Sequence, residues 1–238
     1  MEVRFRIFRF DPESDKEPYY RTYTVAATPR DRILDCLNRI KWEQDGTLGY
    51  RMSCAHGVCG SDGMRINGVC ALACQKLVGD YSTSEEITVE PLPFFQVRKD
   101  LIVDIDDFLA GIESMRPYLI HDGKLPEKEL TQTQQDHKKV QDSIRCILCA
   151  CCTGACPVMS EKPDYVGPAA LVWGYRYLYD TRDSRFSGRI EKLNEPNGVW
   201  PCMNYYECTR VCPKNIPITK SINLMKREIK KHISENDK

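Results

Sequence analysis

The chain has 238 residues in which 34 lysines and arginines balance 34 aspartates and glutamates, so no net field draws it to nucleic acid or to an anionic membrane surface. That length is enough for two small domains with separate cores, and no stretch approaches the roughly 18 to 20 apolar residues of a spanning helix. Thirteen cysteines, in a chain that opens without the apolar run of an export signal, exclude a disulfide framework as the simplest account and point to metal.

Val3, Phe5 and Ile7 alternate with arginines, which predicts a half-buried strand near 3–10, and a second strand follows near 21–27. A helix is expected near 31–43, with Ile33, Leu34, Leu37 and Ile40 at helical spacing, and short strands near 63–67 and 86–91. Between them lies the glycine-rich loop Ser53–Gly63, able to fold tightly around something. From about Val103 the pattern changes to amphipathic helical segments at 104–115, 131–143, 167–180 and 217–233, separated by cysteine-rich turns. The chain therefore reads as an α+β protein, strand-rich over 1–103 and helical over 104–238. Trp173, Tyr175, Tyr177 and Tyr179 read as core or partner-facing residues. The basic pairs Lys226-Arg227 and Lys230-Lys231 read as a solvated helix end.

One internal repeat carries the chemistry. Cys146-x2-Cys149-x2-Cys152-x3-Cys156-Pro157 recurs as Cys202-x2-Tyr205-x2-Cys208-x3-Cys212-Pro213. In the bacterial ferredoxin run the first three thiolates wrap one cubane and the fourth ligates the other cluster. Cys146, Cys149, Cys152 and Cys212 would then hold a 4Fe-4S cluster. Cys156, Cys202 and Cys208 form the reciprocal set, with Tyr205 where the fourth cysteine should stand, and three ligands suit a 3Fe-4S cluster. Structural zinc is the competing reading, but zinc sites use separated pairs and close at four ligands.

In the first domain Cys54-x4-Cys59-x2-Asp62-x11-Cys74 follows the plant-type 2Fe-2S pattern with aspartate at the third position. A carboxylate can bind iron, being a harder donor than thiolate. The alternative is that Cys70 supplies the fourth donor and Asp62 is a loop residue. Cys36 and Cys151 read as packed, His56 as a loop histidine, and Lys214 as solvated. No dinucleotide fingerprint, Walker loop or catalytic triad is present. Clusters without a flavin or nicotinamide site make an electron wire, with the bond-making chemistry on another chain.

The stretches Ser53-Cys-Ala-His-Gly-Val-Cys-Gly-Ser-Asp62, Ile66-Asn-Gly68, Leu72-Ala-Cys74, Lys99-Asp-Leu-Ile-Val-Asp104, Val166-Gly-Pro-Ala-Ala170, Asp180-Thr-Arg-Asp183 and Val211-Cys-Pro-Lys214 resemble the iron-sulfur subunit of the succinate dehydrogenase and fumarate reductase family. The resemblance implies a β-grasp, plant-type ferredoxin-like domain beside a flavoprotein subunit with bound FAD. It also implies an all-helical, bacterial ferredoxin-like domain docked on a membrane anchor, often a cytochrome b with heme b, on the cytoplasmic side of a bacterial inner membrane. Family members with aspartate at the Asp62 position exist. Electrons would pass between FAD and quinone through 2Fe-2S, 4Fe-4S and 3Fe-4S in turn, in the direction of succinate oxidation or of fumarate reduction. Quinone would meet the protein around Pro157, Ser160, Met203 and Tyr205. Ubiquinone-using members carry two tryptophans where this chain has Ser160-Glu161, and a histidine where it has Met203, so the family's ubiquinone site does not carry over residue by residue and the quinone is expected to be menaquinone or ubiquinone. A soluble subunit of another flavoenzyme would share the clusters without docking on a membrane protein.

Overall fold

A computed structural model describes residues 1–81 and 86–236. The chain forms two compact units: Met1–Ile105 together with Ile147–Ala155, and Asp106–Cys146 together with Cys156–Lys238.

In the first unit β1 (Glu2–Arg9), β2 (Tyr19–Ala26), β3 (Gly63–Ile66), β4 (Val69–Leu72) and β5 (Ile87–Glu90) build one mixed sheet in the order β2-β1-β5-β3-β4, with β1 parallel to β5 and the other pairs antiparallel. The alternation that predicted β1 is the pleat itself: Val3, Phe5, Ile7 and Arg9 point inward and their neighbours outward. α1 (Ile33–Arg39) buries Ile33, Leu34, Cys36 and Leu37, and the predicted helix continues as a π-helical turn over Ile40–Gln44. β4 was not legible as a strand, because three of its four residues are buried and alternation is lost. The ribbon β6 (Val97–Lys99) and β7 (Ile102–Val103) turns at Asp100, a residue with φ 48°.

Arg9 ties this unit together from the end of β1. Its guanidinium donates to Asp100 Oδ1 at 2.9 Å, Asp45 Oδ2 at 2.6 Å and Thr47 Oγ1 at 2.8 Å, and bonds the Tyr23 hydroxyl. Asp100 also accepts the amides of Phe10 and Gly49, which accounts for an acidic residue in the middle of the motif Lys99–Asp104.

The second unit contains α2 (Asp106–Ser114) and α3 (Gln134–Ile144); the short α4 (Cys151–Gly154) belongs to the first unit, and then come α5 (Val158–Glu161), α6 (Gly167–Leu178), α7 (Phe186–Asn194), α8 (Glu207–Arg210) and α9 (Ile218–Asn236). α6 is apolar nearly all round and touches α2, α3, α7 and α9, as a central helix should. α7 has only Ile190 and Leu193 as large buried apolar residues, too few to set a period. Asp183 of the Asp180–Asp183 motif accepts from Arg189 at 2.6 and 2.9 Å, and Arg189 donates on to the carbonyls of Met115, Arg116 and Tyr118. α9 buries Ile218, Ile222, Met225 and Ile229 along one stripe. Among the described residues no helix is long and apolar enough to cross a membrane.

Candidate metal centres

The loop Ser53–Gly63 presents its donors through backbone amides. Cys54 Sγ accepts from the amides of His56, Val58 and Cys59 at 3.3 to 3.5 Å, and Cys59 Sγ accepts from the Cys54 amide at 3.5 Å. Those amides stabilise a thiolate and hold Cys54 down to about 6. His56 is exposed, with its ring turned back onto the Cys54 carbonyl.

Asp62 is 2% exposed. Its Oδ2 accepts the Cys74 amide at 2.6 Å, while Oδ1 is buried without a hydrogen-bond partner among the described residues. Burial and the adjoining carboxylate push the Cys74 thiol up to about 12. Two acidic donors crowded in a dry place, one with a free oxygen, are what a ferric ion relieves, since a coordinated thiol is deprotonated outright. Cys70 faces elsewhere. It is buried with its thiol pushed up to about 11, its charged neighbours are Arg65 and Cys149, and a Cβ on Gly154 would lie 3.4 Å from its sulfur.

The segment Ile147–Ala155 packs on the Cys54–Cys59 loop through two glycines. A Cβ at Gly60, where φ is +71°, would lie 2.6 Å from the Ile147 carbonyl oxygen, and one at Gly63 would lie 2.6 Å from the Cys149 carbonyl oxygen. We expect Gly60→Ala to lower stability by more than about 1 kcal/mol, because both the clash and the positive φ oppose it. Gly188→Ala, where a Cβ meets nothing within 4 Å, serves as the neutral or stabilising control in the same thermal unfolding measurement. Cys151, expected to be packed, is fully buried, and its thiol also donates to the Cys149 sulfur, which holds Cys149 below its ordinary range.

The two cysteine runs share their backbone residue for residue. Leu148 and Ala150 have φ of 55° and 62°, and the equivalent Asn204 and Tyr206 have 60° and 64°. Each left-handed pair leads into a four-residue helix, α4 or α8, and in each the last two amides, of Thr153 and Gly154 or of Thr209 and Arg210, bond the carbonyl just before the helix at 3.0 Å. Left-handed conformations at Leu, Ala and Tyr cost about 1 kcal/mol or more each, so a shared demand, carrying sulfurs on one tight loop, is the physical reason for both.

In the second unit Cys156, Cys202 and Cys208 line one small hollow together with Pro157, Met203 and Tyr205. Burial pushes the Cys156 thiol up to about 11 and raises Cys208 as well. Met203 and Tyr205 are exposed at the hollow's mouth. Ser160 is exposed outside the lining, its hydroxyl donating to the Pro157 carbonyl at 2.8 Å. Lys226, expected to be solvated, instead donates to the Cys202 carbonyl at 2.7 Å.

These two loop geometries coincide with two family models: a 2Fe-2S iron-sulfur cluster binding domain matches residues 4–110 and a 4Fe-4S dicluster domain matches residues 142–216. The chain is 40% identical over 230 residues to the succinate dehydrogenase iron-sulfur subunit of Coxiella burnetii, covering 95% of this chain and 97% of that one. It belongs to the family of succinate dehydrogenase and fumarate reductase iron-sulfur subunits. The fumarate reductase iron-sulfur subunit of Haemophilus influenzae is 38% identical over 238 residues, with 95% and 92% of the two chains covered. A chain of the Mycobacterium smegmatis Sdh1 complex in the apo form superposes with a TM-score of 0.88 at 27% identity over 97% and 96% of the two chains. Family membership removes the zinc alternative. Residues missed by sequence reasoning are Asn204, Tyr206 and Lys226, the last without a local signal because its partner is 24 positions away.

Proposed function

We propose that this chain relays electrons between the FAD of a flavoprotein subunit and a membrane quinone, docked on an anchor subunit of cytochrome b type at the cytoplasmic face of a bacterial inner membrane. Bound 2Fe-2S, 4Fe-4S and 3Fe-4S clusters would supply the one-electron stations between flavin and quinone, which protein side chains do not provide. The observation that carries the reading is the repeated left-handed loop with three buried or half-buried sulfurs around one hollow and a tyrosine at the fourth place. In it Cys156, Cys202 and Cys208 hold the three-iron cluster, and the spacing assigns Cys146, Cys149, Cys152 and Cys212 to the four-iron cluster. Cys54, Cys59, Asp62 and Cys74 hold the two-iron cluster on a sheet that we read as a β-grasp. Pro157, Met203 and Tyr205 offer quinone an apolar approach at the mouth of the hollow, with Ser160 beside it.

The orphaned Oδ1 of Asp62 and the orientation of Cys70 toward Cys149 both favour aspartate as the fourth donor. Cys70→Ser should leave the 2Fe-2S absorption and paramagnetic resonance spectra unchanged. Asp62→Ala should abolish or strongly alter them. The opposite pattern would transfer the ligand role to Cys70.

A further inference from the structure

Beneath the hollow a short chain of hydroxyls ends on one of its sulfurs. Thr219 Oγ1 lies 3.5 Å from Cys208 Sγ and 3.0 Å from Thr209 Oγ1, and the Thr219 amide donates to Thr209 Oγ1 at 3.0 Å. Thr219 is 1% exposed, so no water competes for its hydroxyl. The proton directions follow from the acceptors. A cysteine bound to iron is a thiolate and carries no proton, so the hydroxyl facing it must donate. Thr209 Oγ1 already accepts the Thr219 amide, and its own proton is shared between Thr219 Oγ1 and the Cys208 sulfur beside it. The result is a polarised relay, Thr209 to Thr219 to sulfur, whose last bond is strengthened by the one before it.

We propose that Thr219 is a tuning residue, a hydroxyl donor to the Cys208 thiolate that raises the reduction potential of the third centre. This rests on the reading of Cys208 as a ligand of that centre. A hydrogen bond to a ligand sulfur withdraws negative charge and favours the reduced cluster. Thr219 also sits in the first turn of the 19-residue α9, whose dipole acts in the same direction. In the first run Thr153 occupies the place of Thr209, and its hydroxyl is buried without a hydrogen-bond partner among the described residues. A donor at this sulfur favours electrons resting on the centre nearest the proposed quinone approach.

The test is a redox titration of the intact complex, following the paramagnetic signal of the oxidised three-iron centre. Thr219→Val, which keeps shape and removes the hydroxyl, should leave the signal at full size and shift the reduction equilibrium about tenfold toward the oxidised form, the order of one charge-assisted hydrogen bond. For one electron that is about 59 mV downward. Thr219→Ser should restore the potential. If Thr219→Val loses the centre, Thr209→Ala carries the test, and a downward shift is expected because a hydroxyl that polarises Thr219 and touches the same sulfur is gone. An unchanged potential with a full signal, in whichever variant keeps the centre, overturns the proposal. Cys208→Ala tests the underlying reading separately: it should abolish the three-iron signal, and a signal that survives would remove the ligand assignment and the tuning role with it.

Discussion

In the Tyr205→Cys variant the third centre is expected to change from a three-iron to a four-iron cluster. Tyr205 lies between left-handed Asn204 and Tyr206, in the loop whose partner run carries Cys149 at the same place between Leu148 and Ala150. The tyrosine is 49% exposed at the mouth of the hollow lined by Cys156, Cys202 and Cys208, so a smaller thiol-bearing residue meets no packing obstacle there. A thiolate at this position completes the set that a fourth iron needs. Added iron changes the cluster's charge, and with it the potential; each 59 mV lost is about a factor of ten against the electron at that station. Quinone-linked turnover should therefore fall by on the order of tenfold or more, while flavin-level turnover with an artificial acceptor stays near normal. Paramagnetic resonance of the oxidised variant checks it: an oxidised three-iron centre gives a signal and an ordinary oxidised four-iron centre is silent. A full three-iron signal at normal iron content would show that Tyr205 is not at the vacant corner.

The largest effect on stability is expected at Arg9. Arg9→Met keeps the length and apolar stem of the side chain but leaves Asp100, whose side chain is 2% exposed, without its buried cation, and Asp45, at 6%, with only the exposed Arg21 at 2.9 Å. Breaking a buried pair in this way costs about 3 to 5 kcal/mol, and for a unit of this size that is a loss of roughly 12 °C or more in Tm. Burial alone would raise the Asp45 carboxyl, but hydrogen bonds from Thr47, Tyr23 and Arg9 outweigh it and hold the group well below the ordinary carboxylate range. A depressed carboxyl contributes its stability above the unfolded value, near pH 4, and loses it as pH falls through the folded one. Without Arg9 the Asp45 carboxyl is held down less strongly, by Thr47, Tyr23 and the half-exposed Arg21, so less of that stability remains to be lost in acid. The gap in Tm between wild type and Arg9→Met should therefore narrow as pH is lowered from 7 toward 4. Adding Asp45→Asn and Asp100→Asn to the variant should recover part of the loss at neutral pH, because the stranded charges are then gone.

Much of this could be read from the chain alone, and for identifiable reasons. Cysteine spacing is a direct record of cluster chemistry, so the sulfurs later found around one hollow, Cys156, Cys202 and Cys208, were grouped without coordinates. Strict alternation exposed β1, a helix-length apolar run exposed α6, and a long amphipathic period exposed α9. What stayed hidden lacked a period or depended on distant partners. β4 is a short apolar run buried on both faces, and α7 has two apolar anchors in nine residues. Nothing in Leu148, Ala150 or Tyr206 announces a left-handed backbone, since these residue types avoid it; only Asn204 is a usual occupant. Lys226 looked like any lysine on a basic helix, because the Cys202 carbonyl that it reaches is 24 positions away. Thr219 is invisible in the same way until the fold sets it against Cys208.

The membership of Ile147–Ala155 in the first unit has a consequence for the order of events during synthesis. When residue 105 has been made, the sheet can form, yet the surface at Gly60, Gly63, Leu92 and Cys70 still lacks the segment that covers it. Translation of the next 50 residues, from 106 to 155, takes roughly 2 to 10 seconds at ordinary elongation rates. For that interval a glycine-lined apolar patch and several free thiols stand open on a nascent chain. The first half of this protein is thus not a stand-alone ferredoxin that later acquires a neighbour: a chain stopped at residue 105 would keep its patch bare, and its natural fate is aggregation or capture by a chaperone.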